Sequence, residues 1–154
     1  MSNRDREQAR PAIRTLGYGE VISQSERLGD EKFSGPFNRY LSREQILLVE
    51  DCDAEVFGAD AGRQRASLVA VMTPERLVLL RGRGRRAPKE PWTALLEEIG
   101  KLTVTHDGDL AIDFANTRGK ASLWKLLLRN RATADEWMST IDAACWLPAP
   151  GKSA

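Results

Sequence analysis

The stretch ASLVAVMTPERLVLLRGR, residues 66–83, sets two aliphatic runs on either side of Thr73, Pro74, Glu75 and Arg76. Proline's fixed φ suits the second position of a type I turn, and β-branched and aliphatic flanks favour paired strands, so the stretch predicts an antiparallel hairpin. Leu68, Ala70 and Met72 face one way, yet Val69 and Val71 on the opposite face are apolar as well, and Leu77 to Leu80 are apolar without a break. A sheet wetted on one side alternates apolar with polar residues, so something must cover this second face. The candidates are the preceding segment with Phe33, Phe37 and Tyr40, a second copy of the chain, or another protein. In the last case Val69, Val71, Val78 and Leu80 form the interaction surface.

Further elements follow the same logic. Residues 46–57, ILLVEDCDAEVF, read as a strand with Ile46, Leu48, Glu50, Cys52, Ala54 and Val56 inward and Leu47, Val49, Asp51, Asp53, Glu55 and Phe57 outward. Glu50 breaks the inward set, which predicts a bulge or register change nearby. Residues 58–64 and 82–88 read as loops. Residues 91–99, with Trp92, Leu95, Leu96 and Ile99, suit a short helix as well as a strand. Residues 102–106 and 110–114 alternate around Asp107-Gly108, a pair favoured by a type I′ turn, and residues 121–129 form a last strand. Thr133 and Glu136 read as a capping box before a helix with Trp137, Met138, Ile141, Ala144 and Cys145 on one face, ended by Pro148. Upstream, Phe33, Phe37 and Tyr40 share one side of a helical turn that Pro36 weakens, and Ser42 with Gln45 resembles another capping box.

This order describes a mainly β chain: about seven antiparallel strands in a sandwich or partly open barrel, capped by one C-terminal helix. Residues 1–40 read as a partly disordered arm with a short docking segment, 41–147 as the domain and 148–154 as a flexible tail. With 154 residues and 42% apolar content, the chain can bury one core. No apolar run reaches the roughly 18 residues of a membrane-spanning helix, and the polar opening lacks a signal peptide's apolar centre, so a cytoplasmic, at most peripherally membrane-bound, protein is expected. Cys52 and Cys145 lack CxxC spacing and are expected as reduced packing residues.

Seven strands followed by one helix resemble the pleckstrin-homology-like superfold, in particular its bacterial branch. VMTPERLVLL looks like the T-x-x-R-L hairpin of bacterial PH-like and GRAM-like domains, with Thr73, Arg76 and Leu77 at the matching positions, and Trp137 is similar to the tryptophan that PH helices often carry in their core. The resemblance implies a binding module rather than an enzyme. In many PH domains an inositol phosphate sits beside the loop after the first strand; here Arg63 and Arg65 resemble the K/R-x-R part of that pattern. The lysine expected earlier is absent, and Glu50, Asp51, Asp53 and Glu55 stand there instead.

Among residues that could carry function, Arg81, Arg83, Arg85, Arg86 and Lys89 put five cations into nine residues. Phosphates need several donors and positive charge in one place, and arginine forks supply both; a solvated loop is the plainer reading. The acids between Ile46 and Gly62 could receive a basic peptide, or protect a strand edge by charge, which fits better. Their alternation makes them diverge, and no calcium-loop spacing is present, so no metal site is expected. His106 precedes a turn without identifiable catalytic partners, and no nucleophile elbow, P-loop or dinucleotide fingerprint exists, so no catalytic residue and no cofactor are expected. A balance of 23 basic against 22 acidic residues argues against a broad nucleic-acid footprint. The leading expectation is a module for protein–protein interaction or self-assembly; the second is recruitment to anionic phospholipid through the arginines; nucleic acid ranks last.

Overall fold

In a computed structural model the described residues are 15–58, 62–82, 90–115 and 121–145. Seven strands form one antiparallel sheet: β1 (Leu48–Gly58), β2 (Gly62–Met72), β3 (Arg76–Arg81), β4 (Trp92–Leu95), β5 (Ile99–Val104), β6 (Leu110–Ala115) and β7 (Ala121–Leu127), in the order β4-β3-β2-β1-β7-β6-β5. Among the described residues two helices, α1 (Tyr18–Gln24) and α2 (Glu31–Leu41), precede the sheet, and α3 (Arg131–Cys145) follows it. The expected mainly β architecture of seven strands and one C-terminal helix is present.

The predicted hairpin is β2–β3, with Met72 opposite Leu77 and Val71 opposite Val78. Its turn is closed by Thr73, whose Oγ1 accepts from the Glu75 and Arg76 amides at 3.2 and 3.1 Å. Leu68, Ala70, Met72, Leu77 and Leu79 join the main core with Cys52, Ala54, Ile112, Trp124 and Leu126. From α3, Ala134, Trp137, Ile141 and Ala144 complete that core.

The opposite face of β2 and β3 is covered by the chain itself. Val21, Leu28, Phe37, Leu41, Ile46 and Val49 pack with Val69, Val71, Val78 and Leu80 in a second buried cluster. α2 runs through Pro36, and Arg76 anchors its end by donating to the Tyr40 carbonyl at 3.2 Å and pairing with Glu44. The cover therefore includes the segment with Phe33, Phe37 and Tyr40 named among the candidates, within residues 1–40 expected as a partly disordered arm with a short docking segment; residues 1–14 and 146–154, including the tail, lie outside the described residues.

Local expectations change in several places. Leu47 enters the main core and Ile46 the outer cluster, the reverse of the predicted alternation, because the strand pairing starts only at Leu48. Glu50 causes no bulge: β1 and β2 pair without a register break from Leu48–Met72 to Gly58–Gly62. Residues 62–64 are strand rather than loop, and the ambiguous segment resolves into β4 and a 3-10 turn, Leu96–Glu98. Ser42 is the C-cap of α2 instead of starting a helix. α3 begins two residues before Thr133, whose amide donates to Asn130 Oδ1 at 3.1 Å. At the β5–β6 turn only Gly108 has positive φ (+82°), so the turn is not type I′, which needs positive φ at both central residues. Cys52 is buried as expected, whereas Cys145 is exposed.

Candidate functional site

α3 crosses the end of the sheet that holds the β4–β5 and β5–β6 connections: Gly108 O accepts from the Asn130 amide at 3.0 Å, and Cys145 Sγ approaches Leu96 O at 3.9 Å. The other end, where β1–β2, β3–β4 and β6–β7 connect, contains a cavity of about 350 Å³. Trp92, Phe114 and Trp124 form its aromatic wall, and Gln64, Thr93 and Ser122 supply polar groups. Gly58 and Gly62, at the ends of the first hairpin, also line it. Phe114 and Trp124 meet edge to face, 4.9 Å between centroids at 81°.

One predicted cation is fixed at this rim. Arg81 Nε and Nη2 donate to the Glu90 carbonyl at 3.0 and 2.6 Å, and its guanidinium stands 4.5 Å from the Trp92 ring centroid. Burial lowers the Arg81 pKa, opposed by the Glu90 carboxylate. These contacts tie the end of β3 to the start of β4, the two bases of the arginine-rich connection. Gly82 lies under α2: a Cβ there would sit 3.1 Å from Phe33 Cζ. Arg83, Arg85, Arg86 and Lys89 lie outside the described residues.

Arg63 and Arg65 are placed elsewhere. Because Gln64 lines the cavity, its neighbours on β2 project from the opposite face. There Arg63 pairs with Glu55 at 2.9 Å and stands over the Phe57 ring, while Arg65 pairs with Asp53 at 3.3 Å. Two of the four acids that stand where the lysine was expected, Asp53 and Glu55, hold these arginines. Nor do they protect an edge, since β1 lies inside the sheet between β2 and β7. The Ser67 hydroxyl donates to Asp53 at 2.8 Å, which with Arg65 and Arg27 keeps that carboxyl below its ordinary pKa. Asp51 accepts from the Ser25 hydroxyl and the Arg27 amide. Glu50 is raised by burial, then by Asp51 and by Glu136 of α3.

Val69, Val71, Val78 and Leu80, expected as a surface for a partner, are each 0% exposed. α1, α2 and the 3-10 turn Arg27–Gly29 between them occupy that face. Arg27 was missed by sequence reasoning: its Nη1 donates to the carbonyls of Cys52 and Leu68 at 2.9 and 2.7 Å, pinning the cover to β1 and β2. A three-residue turn carries no periodicity that could have announced it. Arg118 and Lys120, in the β6–β7 connection, were also passed over; they too lie outside the described residues. His106 is exposed. Among the described residues no three His, Cys, Asp or Glu side chains cluster as a metal site, and no helix is long and apolar enough to cross a membrane.

No family model matches the sequence, and no curated protein does. Solved structures do match the fold. A complex of PDZ-RhoGEF DH/PH domains with GTP-gamma-S activated RhoA aligns with TM-score 0.52 at 12% identity over 77% of this chain. An activated truncation of Vav1 in its apo form aligns with TM-score 0.50 at 12% identity over 85% of this chain. This chain covers 34% and 36% of those chains, about a third of their length. At such identity the likeness is one of fold: the domain is PH-like. It does not distinguish the bacterial branch to which the T-x-x-R-L hairpin pointed, and in this chain the motif's Thr73, Arg76 and Leu77 serve the turn, the α2 anchor and the core.

Proposed function

We propose that this domain is a non-catalytic binding module that recruits the chain to an anionic membrane surface, with the open end of the sheet as its docking site. The observation that carries the reading is the rim geometry: the chain leaves β3 at Arg81 and returns at Glu90 beside the cavity, with both bases fixed to each other. The segment between supplies Arg83, Arg85, Arg86 and Lys89, and the β6–β7 connection adds Arg118 and Lys120. Protein–protein interaction or assembly through Val69, Val71, Val78 and Leu80 would require the N-terminal helices to vacate that face, so it takes second place. Arg63 and Arg65 contribute little, being paired with acids.

The test is sedimentation of the full chain with neutral and with phosphatidylglycerol-rich vesicles at low and physiological salt. Each basic residue near an anionic surface contributes about 1 kcal/mol, so changing Arg83, Arg85 and Arg86 to Glu should lower retention by a factor on the order of 100 or more. Salt-sensitive retention on anionic vesicles alone, lost in that variant, is the expected result. Retention unaffected by the charge reversal would overturn the proposal.

A further inference from the structure

We draw no further inference here: the strongest candidate, the outer edge of β5 (Ile99–Val104) beside α3 at the end of the described sheet, carries none, because nothing in the structure shows what covers it.

Discussion

At Gly108 the backbone takes φ +82°, and a Cβ would stand 2.7 Å from the Asn130 nitrogen and 2.8 Å from that of Arg131. Both obstacles are backbone at the start of α3, so neither can swing aside as a side-chain tip would. Gly108→Ala combines a disfavoured φ with a forced shift of the helix start, and an expected loss of about 2–4 kcal/mol follows in urea unfolding. A loss under about 0.5 kcal/mol would mean that the turn and the helix are not held together there. Gly82 differs in kind, because its obstacle is a ring. With Phe33 Cζ 3.1 Å from the Cβ position, Gly82→Ala should cost about 1–2 kcal/mol, and Phe33→Leu in the same chain should recover part of that loss. Strict additivity of the two substitutions would show that Phe33 is not the obstacle.

The pairing of α1 and α2 with the outer face of β2 and β3 decides what the apolar hairpin means. Read as an open docking surface, that face predicts that Val71→Glu breaks an association and leaves the fold intact. With Val71 at 0% exposure beneath the chain's own helices, the same substitution buries a carboxylate without a partner. It should therefore unfold or strongly destabilise the domain, by several kcal/mol, which circular dichroism and thermal melting would register. A folded Val71→Glu protein with an unchanged melting temperature would mean that the helices leave this face in solution. Much of the element order was legible because hairpins and the amphipathic α3 announce themselves through local periodicity. The need for a cover was legible too, since Val69 and Val71 break the polar alternation. Its identity was harder, because Phe33, Phe37 and Tyr40 recur at helical spacing around a proline while the anchors Arg27 and Arg76 act across 25 to 41 residues of sequence. The candidate cations divided for a similar reason: Arg63 and Arg65 looked like loop residues until β2 was seen to begin at Gly62, which turns them away from the cavity.

Taken as a whole, the molecule is a sheet covered on one side by α1 and α2 and on the other by α3, and β1 carries acids toward both. Glu50 lies on the α3 side, its pKa raised by burial and by the carboxylates of Asp51 and Glu136; Asp53 lies on the other, lowered mainly by the Ser67 hydroxyl and then by Arg65 and Arg27. The two respond to pH with opposite sign. Folded Glu50 holds its proton more tightly than in the unfolded chain, so its ionisation cost is present in full above the folded pKa and is relieved as pH falls through that value toward 4.5. Asp53 contributes stability above its ordinary value of 3.8, and that contribution is lost as pH falls through its lowered folded value. Glu50→Gln should therefore raise stability at pH 7 relative to the parent, with the gain shrinking as pH approaches 4.5. Asp53→Asn should lower stability at pH 7, with the deficit shrinking only below pH 3.8. Chemical unfolding of the three proteins across that range separates the two sides of the strand. Parallel curves for Glu50→Gln and the parent would show that the carboxylate beneath α3 is as well solvated in the fold as in the unfolded chain.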